Sequence, residues 1–131
     1  MPLDTQAAPV SKKMLWTGWI LSILPALMLL SGGVFGLVKP SVAQEGLAHY
    51  GYPTSVALPL GIVELVCTAL YLIPRTSVLG ALLLTAYLGG ATATHVRAGE
   101  PFYLPILVCV VLWAGLLLRE SRLRPLLPLT R

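Results

Sequence analysis

The run TSVALPLGIVELVCTALYLIP, residues 54–74, decides the fold. It holds 21 residues and one charge, Glu64, which stands ten positions from either end. A hydrocarbon core of roughly 30 Å is crossed by about 20 helical residues rising about 1.5 Å each, so this length fits one helical crossing. A spanning β-strand needs only roughly 10 residues and alternates in polarity, whereas here the apolar residues run on without alternation. Pro53 and Pro74 close the run at both ends, where helices stop.

Moving outward, the same pattern recurs in residues 14–38, 76–96 and 101–118, which hold 25, 21 and 18 residues and no charge at all. Across all 131 residues, 56% are hydrophobic and 11% charged, with a mean hydropathy of +0.84. A soluble globule of this size cannot bury so much apolar surface, so the chain reads as a membrane protein. The two Cys and low charge exclude a disulfide scaffold and a disordered chain, and the 12 Gly show no collagen-like period. The expected fold is all-α, an integral membrane four-helix bundle. Residues 1–13 read as a flexible N-terminal lead, 14–118 as the transmembrane domain and 119–131 as a basic cytoplasmic tail. The first apolar run exceeds the roughly 7–15 residues of a signal-peptide core, so it reads as an uncleaved helix.

Four spans put both termini on one side. That side carries Lys12, Lys13, Arg75, Arg119, Arg122, Arg124 and Arg131, against Lys39 and Arg97 opposite. The positive-inside rule therefore predicts cytoplasmic termini and a cytoplasmic (inner) membrane location. Trp16, Trp19, Tyr71 and Trp113 fall toward the inner interface and Tyr50, Tyr52, Phe102 and Tyr103 toward the outer one, as aromatic belts. The 39–53 connection is long enough for a short helix on the outer surface. Ser41 with Gln44 fits a capping box, and Val42, Leu47 and Tyr50 form an apolar face ending at Gly51.

Glu64 is the conspicuous residue, about 15 Å from either interface by helix rise. A carboxylate there costs roughly 2.5–3.5 kcal/mol on insertion scales, so it is expected to face inward and to find a partner. Gly61, Cys67, Thr68 and Tyr71 share its face. Depth counting puts Thr85 and Tyr87, Cys109 and Pro25 level with it, and the Tyr87 hydroxyl is the preferred partner. Two roles stay open for Glu64: a functional group, or a hydrogen-bonded residue that fixes helix register.

His95 lies about 14 Å from Glu64 in depth by the same rise, so the two share a path only if Tyr87, Thr92 or water bridges them. With Lys39, Thr92 and Tyr103 it forms a candidate pocket for a polar head group, a small anion or a quinone carbonyl. Glu64, His95, Tyr87, Thr92 and Lys39 are thus the candidate ligand-binding or proton-relay residues. Gly32, Gly36, Gly89 and Gly90, in small-x-x-x-small pairs, are candidate helix-packing positions. Cys67 and Cys109 lie in apolar segments, and no metal-ligand cluster, C-x-x-C, phosphate loop or carboxylate pair occurs. The sequence requires no metal and no cofactor, and nothing points to nucleic acid. The Arg-rich end, 119–131, is expected to meet anionic lipid.

SGGVFGLVKP at 31–40, GYP at 51–53, GIVELVCTALYLIPRT at 61–76 and GALLLTAYLGGATATHVR at 80–97 together resemble the DoxX-like family of small bacterial membrane proteins. The resemblance implies a four-helix membrane protein distantly similar to the small subunit of thiosulfate:quinone oxidoreductase. Its motif residues fall on Ser31, Gly32, Lys39, Pro40, Glu64 and His95. The expected function is an accessory or small-molecule-binding component, with quinone a possible ligand, of a membrane redox system, leaning to no catalysis of its own. The alternatives are an interaction or assembly protein, part of a redox complex or a homo-oligomer, and, below it, a small transporter.

Overall fold

A computed structural model describes residues 11–126. The N-terminal lead before Ser11 and the tail after Leu126, with Leu127, Leu129 and Arg131, lie outside the described residues. Every regular element among the described residues is helical: α1 (Lys12–Val38), α2 (Pro40–His49), a 3₁₀ turn (Thr54–Val56) leading into α3 (Ala57–Leu72), α4 (Ser77–Arg97), α5 (Tyr103–Arg119) and a closing 3₁₀ segment (Ser121–Leu126). Among the described residues three helical stretches, Lys12–Val38, Thr54–Leu72 and Ser77–Arg97, are long and apolar enough to cross a membrane, and α5 is a shorter apolar helix of 17 residues. The protein is a multi-pass membrane bundle.

Local chemistry sets the helix ends. The Ser11 hydroxyl caps α1 by accepting from the Met14 amide at 3.2 Å. The expected capping box at Ser41 is absent. Instead α2 starts one residue earlier, with Pro40 in its first turn and no side-chain cap, because a proline lacking an N–H is pre-set for the first helical position. Gly51 and Gly99, at φ 83° and 73°, take the left-handed turns that follow α2 and α4.

In the bundle α1 packs on α3 and α5, and α4 packs on the same two helices, while α2 lies across α1 and α3. Tyr71, Ala81, Leu84, Leu112 and Leu116 are the sealed centre of the core. Burial is lopsided along the bundle axis. Beyond Gly33 in α1 and Leu88 in α4 nothing is buried, and α3 buries only Gly61 before Cys67. The end that carries Arg119 is tightly packed, and the α2 end is open except along α5, where Pro105 and Val108 are buried.

Glycines make the tight end possible, though not those expected. A Cβ on Gly18 would stand 2.7 Å from the Arg119 amide nitrogen, one on Gly115 2.7 Å from Ser22 Oγ, and one on Gly80 would overlap the Tyr71 backbone. Gly89 and Gly90 have nothing within 4 Å of the Cβ position, so among the described residues they pack no helix pair. Gly36 meets Ala43 of α2 at 3.6 Å, and Gly32 meets the Glu64 carboxylate at 3.4 Å. Small residues at helical spacing have one pattern whether they face a neighbour or lipid, which is why the sequence did not separate the two sets.

Arg119 departs most from expectation. Rather than joining a solvated tail it ends α5 inside the bundle, 9% exposed. Its Nε donates to Ser22 Oγ at 2.9 Å and its Nη2 to the Tyr71 carbonyl at 2.8 Å. The guanidinium lies 4.3 Å from the Trp19 ring centre and 4.9 Å from that of Tyr71. Tyr71 in turn donates to Ser22 Oγ at 3.0 Å and to the Leu112 carbonyl at 2.6 Å. The Tyr71 carbonyl belongs to the last turn of α3, where no helical N–H remains to bond it. Arg119 therefore caps α3 and places a cation at the negative end of its dipole. Tyr71 and Trp19 serve this cluster more than an interfacial belt.

Candidate functional site

The open end contains the site. Helix α4 turns Ala86, Tyr87, Gly90, Ala91, Thr94 and His95 to one side, positions one and four apart that share a helical face. Leu60 of α3 and Leu47, Tyr50 and Tyr52 from α2 and the segment after it close the other walls of a cleft of about 330 Å³. That volume reaches the lower end of small-molecule sites. Gly90 lines the cleft with no atom within 4 Å of its Cβ position, so a large side chain there would project into open space.

At the floor, the Tyr87 hydroxyl lies 3.2 Å from Glu64 Oε2 and donates to it. The pairing expected from depth is present. Gly32 of α1 leaves room for the other carboxylate oxygen, so Glu64 is held between α1 and α4 although it grows from α3. It remains half-buried.

At the mouth, His95 engages the Ala91 carbonyl through Nδ1 at 2.7 Å, which turns Nε2 toward the Tyr50 hydroxyl at 3.4 Å. Tyr50 donates to Glu100 Oε2 at 2.7 Å, and His49 Nε2 contacts Glu100 Oε1 at 2.6 Å. Arg97 donates to the Tyr50 carbonyl at 3.1 Å, and Tyr52 shares a 2.6 Å hydrogen bond with Thr94. These contacts tie α2 to the α4–α5 turn, across the mouth. Hydrogen bonds from His49 and then Tyr50 hold the Glu100 carboxyl below its ordinary range, and the Glu100 bond raises the Tyr50 phenol above its own.

The structure brings Glu64 and Tyr87 together, and the cleft is lined by Tyr87 toward one end and His95 toward the other, while Glu64 is not among its lining residues. The structure separates Thr92 and Lys39 from them. The Thr92 hydroxyl donates to the Leu88 carbonyl, and the residue borders a second groove between α4 and α5, with Thr85, Gly89, Pro105 and Cys109. Lys39 sits at the α1–α2 junction with its ammonium 5.7 Å from the Phe35 ring centre. Tyr103 is exposed and touches neither site, stacking on Phe102 instead. Cys67 and Cys109 are free thiols, the first in the core and the second 3.7 Å from Thr85 Oγ1. Among the described residues no group of three His, Cys, Asp or Glu side chains could hold a metal ion.

Sequence reasoning missed Tyr50, Tyr52, Thr94 and Glu100 as site residues. Tyr50 and Tyr52 stood out as interfacial aromatics, Tyr50 also on the apolar face of the outer helix, and Glu100 was given no site role. The spacing of Thr94 and His95 with Tyr87 along α4 was the available signal.

The sequence pattern of the DoxX-like family matches residues 20–115, from the first third of α1 to the last turns of α5. The chain belongs to the DoxX-like family. The matched region of this DoxX-like protein includes Glu64, Tyr87, His95 and all the walls of the cleft. No curated protein and no solved structure matches the chain.

Proposed function

We propose that this DoxX-like protein binds a hydrophobic small molecule in the α2–α4 cleft, as an accessory component of a membrane redox system. The cleft that runs from His95 and Tyr50 to Tyr87, whose hydroxyl is bonded to Glu64 behind it, is the observation that carries the reading. Its walls are apolar and aromatic, and hydrogen-bonding groups stand at both ends, as a ligand with a polar head in an apolar body requires. A quinone–quinol head group has that chemistry: with Nδ1 bonded to the Ala91 carbonyl, His95 Nε2 is left to accept from a quinol hydroxyl, and Tyr87, whose proton goes to Glu64, offers a lone pair. Thr92 and Lys39, remote from the cleft, have no part in this site.

In this reading α1, α3, α4 and α5 each cross the bilayer once. The 17 residues of α5 extend about 26 Å at about 1.5 Å each, and the flanking residues supply the rest. The cation bias places both termini, Arg75 and Arg119 in the cytoplasm, and α2 on the outer surface of the inner membrane. The test is a titration of purified protein with a quinone analogue followed by tryptophan fluorescence. Saturable binding that weakens in Glu64→Gln, Tyr87→Phe and His95→Ala supports the site. Equal binding in all four proteins sinks it.

A second reading, a membrane assembly protein, draws support from Gly89, whose open face borders the α4–α5 groove and leaves room for a partner helix or a second copy. Crosslinking in native membranes that recovers one stoichiometric partner, blocked by Gly89→Leu, favours it.

A further inference from the structure

We propose that Glu64 is a proton-binding site that exchanges with one face of the membrane only, the face that carries α2. The inference deepens the ligand-site reading and rests on the cleft assigned above.

Three observations converge on it. First, the carboxylate is not sealed in: it is half-buried, and its one side-chain hydrogen bond is to Tyr87, whose ring lines the cleft. Second, the cleft leads from Tyr87 along α4 to His95, Tyr50 and Glu100, and Glu100 meets the exposed His49 at the surface. Its volume of about 330 Å³ has room for several waters at about 30 Å³ each, and the hydroxyls and imidazole along it supply the polar partners such waters need. A phenol or imidazole gives up one proton as it accepts another, and the eight residues from Tyr87 to His95 on α4, about 12 Å of rise, are the stretch that waters in the cleft would bridge.

Third, the opposite direction is closed. Between Glu64 and the Arg119 end lie Cys67, Thr68, Tyr71, Leu84, Leu112 and Leu116, all buried. The polar atoms there are committed: Thr68 donates to the Glu64 backbone carbonyl, Tyr71 to Leu112 and Ser22, and Arg119 to Ser22 and Tyr71. Packing is what closes that half: each of those six side chains is at most 6% exposed, which leaves solvent no way in. The fixed guanidinium adds an electrostatic barrier to a proton from that side. The titratable groups near Glu64 are Tyr87 on α4 and Cys67 one turn along α3, and α1 faces it with Gly32.

The test is labelling of Glu64 by a hydrophobic carbodiimide, which partitions into the bilayer and reacts with the protonated carboxyl. Proteoliposomes of uniform orientation carry the full-length protein, pH is changed on one face at a time, and the adduct is counted by mass spectrometry. While the carboxylate form dominates, labelling should rise about tenfold for each unit of acidification on the α2 face. It should ignore the pH of the Arg119 face. Glu64→Gln should lose the adduct. Gly90→Leu, which fills the cleft at an open position, should make labelling insensitive to pH on the α2 face as well. Labelling that follows the Arg119 face, follows both faces equally, or keeps its α2-face response in Gly90→Leu overturns the proposal. Quinone-analogue binding measured on the same preparations separates the two claims: bound ligand with two-sided labelling removes the one-sided path and leaves the ligand site standing.

Discussion

Replacing Arg119 by alanine should loosen the whole bundle. The substitution removes two hydrogen bonds from a charged donor, at 2.9 and 2.8 Å, each contributing about 1.5–3 kcal/mol. It also removes a cation over the Trp19 and Tyr71 rings, each contact adding about 0.5–2 kcal/mol. Against this, a buried guanidinium carries a desolvation penalty of several kcal/mol, which alanine relieves. Alanine leaves the Tyr71 carbonyl at the end of α3 without a donor, which costs about 1–3 kcal/mol, and a void beside Gly18 and Trp19. Orphaned groups and the void outweigh the relief, and the expected net loss is about 2–4 kcal/mol. Arg119→Lys, which keeps the charge but cannot span Ser22 and Tyr71 with one fork, should lose about half as much. Reversible unfolding in mixed micelles with increasing dodecyl sulfate, followed by circular dichroism, measures both. An Arg119→Ala protein within about 0.5 kcal/mol of the parent would refute the claim that this residue clamps α1, α3 and α5.

Other expectations follow from the same geometry. Gly80→Ala, whose Cβ runs into the Tyr71 backbone, should destabilise by at least about 1–3 kcal/mol through overpacking, whereas Gly90→Ala, with open space at its Cβ, should stay within about 0.5 kcal/mol of the parent; the same micelle titration reads both. Because the folded-state pKa of Glu100 is depressed, its latch on His49 and Tyr50 is present above the ordinary carboxylate range and is lost as pH falls through the depressed value. Hydrogen exchange in α2 should therefore accelerate on strong acidification in the parent, and that acid step should vanish in Glu100→Gln. A membrane-permeant maleimide should modify Cys109, which borders the α4–α5 groove, and spare Cys67 in the core until the protein unfolds; equal modification of both would contradict the packing described.

The helices were legible because a membrane leaves a coarse signal: long uncharged runs broken by Pro53, Pro74 and Pro101. Helix α2 was legible too, although Pro40 moved its start. Depth counting found the Glu64–Tyr87 pair, since rise per residue fixes level along parallel helices. Rotation about each axis is not in that arithmetic. Thr92 and His95 lie less than a turn apart in α4, yet the helix divides its surface between two grooves and they fall to different sides. Lys39 was level with the site and points along α1 instead. Arg119 defeated the reading for a related reason: an arginine after an apolar run looks like an interfacial residue, and only the approach of Gly18 to Gly115 reveals that the chain there is inside the bundle.

The central claim, a ligand site in the α2–α4 cleft ending on Tyr87, the hydrogen-bond partner of Glu64, is tested most directly by a density map of the protein purified with its native lipid. The account predicts non-protein density within the cleft, with a polar head in hydrogen-bonding reach of Tyr87 or His95 and an apolar body along Gly90 and Leu60. A cleft closed by its own side chains, or density confined to the α4–α5 groove, would contradict it.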